Sequence, residues 1–166
     1  VHFYQGSYTG IFINGMDGDY FVKDGTVTLQ DFHVFTPWLD VDFNGTIDPE
    51  SRINLEAKVH EIDLSRYNKY LPMPLQGKAQ FSGKLTGTVA SPLFEGRLSA
   101  QDLSVNGQEV TGVGGIIQYS DGFVFVKDMS CQQNNGIYKF NGNVNVNTQR
   151  LRGRLDVDKG DIHSLV

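Results

Sequence analysis

The stretch Ile53-Asn54-Leu55-Glu56-Ala57-Lys58-Val59 alternates apolar and polar residues without a break, and this period of two restricts the fold more than any other feature of the chain. Successive side chains of a β-strand leave opposite faces, so such a run buries one face and wets the other. On a helix the same residues would scatter around the whole surface. The rhythm recurs along the sequence. Leu39, Val41, Phe43 and Ile47 keep it with Gly45 in phase, and Ala79, Phe81, Leu85 and Val89 keep it with Gly83 and Gly87 in phase. Leu98 joins the same apolar set, followed by Val113, Ile117 and Tyr119, then Val124 and Val126. Tyr138, Phe140, Val144 and Val146 come next, and Leu151, Leu155 and Val157 close the series.

Turn chemistry separates these blocks. Asp24-Gly25, Asn106-Gly107, Asp121-Gly122 and Asn135-Gly136 supply positive φ, and Asp48-Pro49 supplies a fixed one. Hairpins joined into a meander of about ten strands are therefore expected. With 19 glycines in 166 residues, composition favours short connections over helices. One short helix is expected near residues 63–71, capped by Asp63 or Ser65 and stopped by Pro72.

Shifting the chain against itself by about 97 residues reveals an internal repeat. Asp24-Gly25 then falls on Asp121-Gly122, Asp31 on Asp128, and Phe43-Asn44-Gly45 on Phe140-Asn141-Gly142. One more residue of slip places Ile53, Ala57 and Val59 on Leu151, Leu155 and Val157. The expected organisation is one β-repeat unit over residues 1–72 and a second over 73–166, continuous in one sheet. A chain that starts at Val1 and breaks off within a repeat reads as a piece of a longer array.

Several function classes are disfavoured. A formal net charge of −5 with scattered Lys and Arg offers no basic face for nucleic acid. The lone Cys131 cannot form an internal disulfide and sits in apolar phase, as a small core residue would. No apolar run approaches the length of a membrane-spanning helix. His2, His33, His60 and His163 are widely separated, read as surface or turn residues, and lack a partner at metal-ligand spacing. No nucleophile motif accompanies them, so the chain is not expected to be an enzyme. The segment Asn14 to Asp19 resembles a calcium loop without its downstream Glu and reads as a polar turn between strands. Glycines at 83–87 and 112–115 lack the Lys-Ser/Thr of a phosphate loop and suit coiled or bulged strands. No cofactor and no metal are expected.

The apolar stripe serves two architectures. It could close as a sandwich whose faces bury each other, which the pattern alone favours, or curl as one sheet around an open groove. Periodicity does not distinguish them.

A resemblance tips that balance. The run "GKAQFSGKLTGTVASPLFEGRL", from Gly77 to Leu98, resembles the strand, Gly-Thr, Pro, Gly signature of the TamB family within the AsmA-like superfamily. "DLSVNGQEVTGVGGIIQYSDGFVFVKDM", "GIYKFNGNVNV" and "LRGRLDVDKGDIHSL" continue the likeness, and "FNGTID" with "RINLEAKVHEIDLSRYNKYLP" matches the same cycle earlier. The resemblance implies an all-β, elongated, antiparallel-rich sheet curled lengthwise into a "β-taco" with an apolar groove. It implies a periplasmic protein of Gram-negative cells, anchored in the inner membrane by a segment outside this sequence and reaching the outer membrane. Its implied partners are phospholipid acyl chains and an outer-membrane β-barrel of the TamA/Omp85 type. On that basis the alternating residues named above, from Leu39 to Val157, become the lining of a lipid groove for phospholipid transport and outer-membrane biogenesis. Ten strands at 4.8 Å spacing would make a trough about 48 Å long. The alternative function is a periplasmic chaperone or scaffold that assists outer-membrane protein insertion by strand addition.

Overall fold

A computed structural model describes residues 2–8, 11–37, 39–70, 74–148 and 150–160; of residues 2–8, 11–13, 39, 67, 69, 70 and 102 it describes the backbone only. The alternating blocks form eleven strands. In chain order they are β1 (His2–Tyr8), β2 (Ile11–Lys23), β3 (Thr26–Phe35), β4 (Leu39–Ile47), β5 (Ile53–Asp63), β6 (Leu75–Gly87) and β7 (Pro92–Val105). β8 (Gln108–Ser120), β9 (Phe123–Gln133), β10 (Gly136–Asn145) and β11 (Arg150–Asp158) complete the series. All belong to one sheet whose spatial order is their sequence order, and every neighbouring pair is antiparallel. The expected all-β meander is thus one layer, and the sandwich that pattern alone favoured is not formed.

A flat single layer would leave both faces in water, yet Val41, Ala79 and Phe81 are almost wholly buried. The sheet meets that requirement by curling on itself along its length. Bulges assist, since an extra residue in one strand of a pair bends and twists it. Such shifts interrupt the pairing of β2 with β3, β3 with β4, β5 with β6 and β9 with β10, among others. One cluster of buried residues joins Val41, Ala57, Val59 and Phe81, and a second joins Ala79, Ala100, Leu103 and Val110. Full burial of each such Val, Leu or Phe contributes about 1.5–3 kcal/mol.

Glycine lets the rings lie flat on the sheet. Phe81 covers the backbone of Gly83 and Gly96: a Cβ on Gly83 would stand 2.8 Å from its ring. Phe140 covers Gly142 and Gly153 in the same way.

Local details depart from expectation in three places. The helix near 63–71 is a 3-10 helix, Leu64–Tyr70, with Leu71 and Pro72 outside the described residues. Asp63 caps it, accepting hydrogen bonds from the Ser65 backbone N–H at 3.1 Å and the Ser65 hydroxyl at 2.6 Å. Leu64 tucks against the second cluster, which holds the turn to the sheet. Asn14 to Asp19 is no turn but the middle of β2, with the pairing shift at Gly18. The hairpin between β9 and β10 turns at Asn134 and Asn135, one residue early, because Asn134 adopts a φ of 52° and Gly136 already belongs to β10.

The repeat has a physical counterpart. In β3 the pairing with β4 slips between Leu29 and Phe32, and the Asp31 N–H donates to Asn44 Oδ1 at 2.8 Å. In β9 the pairing with β10 slips at the corresponding place, and the Asp128 N–H donates to Asn141 Oδ1 at 2.8 Å. Both aspartates take positive φ, 46° and 49°. An Asp that tolerates the left-handed region and an Asn one strand away that satisfies the displaced amide are together a sequence-encoded bulge.

Candidate functional site: one apolar face across the sheet

Residues directly opposite each other in an antiparallel pair share a face, so the register assigns every expected groove residue. In β4 and β5, Val41 stands opposite Val59, Phe43 opposite Ala57 and Ile47 opposite Ile53, with Leu55 opposite Gly45. Leu39 is placed by its backbone opposite Ile62. Ile62 in turn stands opposite Ala79, Val59 opposite Phe81 and Leu55 opposite Leu85. The line continues through Leu98, opposite Phe81, and through Val113, opposite Ala100. Ile117 and Tyr119 meet Val126 and Val124, and Val124 meets Val144. Tyr138, Phe140 and Val144 meet Val157, Leu155 and Leu151. One face therefore carries the expected residues of β4 through β11. Two lie outside named strands: Val89 donates its N–H to the Ser51 carbonyl at 3.0 Å, and Val146 donates to the Gly122 carbonyl at 2.9 Å. Val27, Leu29 and Val34, which sequence reasoning did not assign to this face, continue it into β3 opposite Ile47, Gly45 and Val41.

The face is not uniformly enclosed. In the middle strands it is a packed seam, where Phe81 stacks on Phe94 with ring centroids 4.4 Å apart. Toward the flanks it opens: Val22 is 63% exposed in β2, and Leu151 and Leu155 are 60% and 49% exposed in β11. Cys131 packs beside the second cluster, and burial raises its thiol pKa, as suits a small core residue.

The reverse face is mainly polar, with Phe21, Leu93, Phe123, Phe125 and Ile137 as apolar residues on it, and carries shallow hollows. One of about 670 Å³ is bordered by Lys84, Leu93, Glu95, Gln118, Phe125 and Lys127, and Gln118 donates a hydrogen bond to Glu95 there. Another of about 410 Å³ lies over Lys127, Asn141, Asn143, Arg152 and Arg154.

The reverse face also gathers what the sequence had scattered. His33 of β3 and His60 of β5 both reach Asp42 of β4: His33 Nδ1 lies 2.6 Å from Oδ1, and His60 Nε2 lies 2.6 Å from Oδ2. His33 Nε2 is in turn 3.5 Å from Asp40 Oδ1. These two histidines are neither turn residues nor isolated. Hydrogen bonds from both rings hold the Asp42 carboxyl below the usual carboxylate value, with burial opposing them. All three occupy the polar phase of adjacent strands, so only the register, with its bulges, could have paired them from sequence. Among the described residues no group of three or more His, Cys, Asp and Glu side chains is arranged to hold a metal ion. Nor is any helix among them long and apolar enough to cross a membrane.

These features define a class by architecture: an open, curled antiparallel meander with one continuous apolar face and one mainly polar face. No protein-family model, no characterised protein and no solved structure matches the chain.

Proposed function

We propose that the apolar face carries phospholipid acyl chains, and that the chain is a section of a conduit between the inner and outer membranes of the Gram-negative periplasm. The observation that supports this most is continuity, since one strip of Val, Leu, Ile and Phe runs across successive strands without a polar residue in phase from β4 through β7. A strip with no polar hook offers nearly equal affinity at each step, which suits movement along it. Each methylene it covers is worth about 0.8 kcal/mol, so partial cover of one acyl chain suffices for retention. The resemblance of the run from Gly77 to Leu98 to the TamB-family signature points the same way. In this reading the residues from Leu39 to Val157 line the path, a TamA/Omp85-type barrel receives it at the outer membrane, and supporting outer-membrane assembly is its consequence.

The test is photo-crosslinking in Gram-negative cells, with a crosslinking residue at Phe43, Phe140 or Leu155 and controls at Glu56 and Lys139 on the reverse face. Phospholipid adducts confined to the first three positions are expected. Protein adducts alone would favour a scaffold for outer-membrane proteins, and equal lipid labelling of both faces would remove the reading altogether.

A further inference from the structure

The apolar residues of the reverse face are concentrated on β7–β9. Leu93 stands opposite Thr86, Phe123 and Phe125 stand opposite Ser120 and Gln118, and Ile116 lies between Arg97 and Lys127. Leu93 is 41% and Phe123 37% exposed, and the ring centroids of Phe123 and Phe125 are 6.1 Å apart. Grouped apolar side chains in water mark a surface that meets something else. β6 to β9 each have a paired strand on both sides, so this stretch of face is complete whatever adjoins β1 or β11.

The hollow of about 670 Å³ lies among these residues, with Lys84 and Lys127 on its border against Glu95. The Glu95 carboxylate already accepts a hydrogen bond from Gln118, and Arg97 adds a cation beside Ile116. Lys84, Arg97 and Lys127 have no ion-pair partner among the described residues. A locally cationic surface therefore sits on a chain of net charge −5. Phe125 and Lys127 also border the hollow of about 410 Å³, so the two depressions adjoin.

Neither the rings nor the lysine are needed to build the strand. At the positions of β3 that match Phe123, Phe125 and Lys127, the first repeat carries Thr26, Thr28 and Gln30, and β3 forms its strand and bulge without them.

We propose that this hollow docks an acidic segment of a partner protein, which sets apolar side chains on Leu93, Phe123 and Phe125 and carboxylates against Lys84, Arg97 and Lys127. Charge and apolar area select that chemistry together. A bare polyanion would leave both rings in water, and a wholly apolar partner would leave three cations unmatched. The hollow is shallow and covers one side of a segment, whereas a small molecule needs most of its surface enclosed. Rings at the centre with charges at the rim are the arrangement of a protein interface. The site is on the face opposite the acyl strip and does not rest on the lipid reading.

Fluorescence anisotropy with the 166-residue chain tests it, using a labelled peptide that alternates aspartate with phenylalanine and a second peptide with serine in place of aspartate. The aspartate peptide is expected to bind at least about tenfold more tightly than the serine peptide, and to weaken as salt is added. Phe123→Thr with Phe125→Thr, the residues of the first repeat, should lower its affinity about tenfold or more. Lys127→Gln should lower it about threefold, and Lys139→Gln, the same change of charge outside the hollow, should leave it unaltered. Circular dichroism verifies that each variant keeps its strands. Equal affinity for the two peptides, or a double threonine variant that binds as the native chain does, would overturn the proposal. So would phosphatidylglycerol vesicles bound in preference to the aspartate peptide and released by Lys127→Gln, which would make this face a membrane contact.

Discussion

β5 and β11 occupy the same place in the repeat. β5 pairs with β4 so that Phe43 faces Ala57 and Val41 faces Val59; β11 pairs with β10 so that Phe140 faces Leu155 and Tyr138 faces Val157. Their apolar residues nevertheless meet different fates. Leu55 is 5% and Ala57 7% exposed, whereas Leu151 and Leu155 are half exposed or more. Alternation, register and the neighbour on one side are shared. What differs is the other side, where β6 covers β5 and nothing among the described residues covers β11. Burial on a curled sheet is therefore a property of consecutive strands together, while the strand itself is a property of its own sequence.

The largest effect that could break this comparison comes from a charge on the apolar face. Ala57→Asp places an unpaired carboxylate in the seam between Val41, Val59 and Phe81 and should cost more than about 4 kcal/mol in urea unfolding, if the chain folds at all. Leu155→Asp, at the equivalent position, should cost no more than about 1 kcal/mol because water reaches the carboxylate. Equal losses would mean that β11 is covered in solution.

Truncating the rings that lie over glycine should show a smaller contrast. Phe81→Ala removes the cover of Gly83 and Gly96 together with the stack on Phe94, and should cost about 3–5 kcal/mol. Phe140→Ala uncovers Gly142 and Gly153 nearer the edge and should cost about half as much, since its ring was only partly removed from water. Smaller again, and expected to be equal, are Asn44→Ala and Asn141→Ala. Each deprives a bulge amide of its acceptor, at Asp31 or Asp128, for about 1 kcal/mol by thermal unfolding. Equality is what a locally encoded bulge requires, and a large difference between the two would make the bulge dependent on its surroundings.

That pattern explains how much was readable in advance. From β4 onward, strand identity and face came from alternation alone, because a period of two survives any arrangement of neighbours. The Phe-Asn-Gly step and the Asp upstream of it were legible as a repeat, whereas the paired bulges they encode show only in the register and in the bonds from Asp31 to Asn44 and from Asp128 to Asn141. The single layer was not legible: Val41 and Val59 would look the same in a sandwich, and the choice depends on how far the sheet curls. Nor was the His33, Asp42 and His60 group, whose members are polar-phase residues on three strands joined by shifted registers. The middle of β2 was misread because Asn14, Gly15, Asp17 and Gly18 have turn chemistry, while the pairing of that segment with β1 and β3 outweighs their local preference.

The smallest effect concerns that histidine group, which distinguishes the two repeats on their polar face. Where β4 has Asp42 and β5 has His60, β10 and β11 have Lys139 and Asp158. Bonds from His33 and His60 lower the pKa of Asp42 below its ordinary value of 3.8, so the folded chain holds this proton less readily than the unfolded one. Stability from the carboxylate is therefore fully present above 3.8 and is lost as pH falls through the lower folded value. Asp42 is one-third exposed, so solvent screens the bonds and the contribution is small. Asp42→Asn should lie below the native chain in stability at pH values above 3.8 and converge with it in more acidic solution. Lys139→Gln at the matching position should show no such convergence, because it removes no carboxylate. Parallel acid profiles for the native chain and Asp42→Asn would mean that the two imidazoles do not hold Asp42 in solution, leaving β4 and β10 alike on both faces.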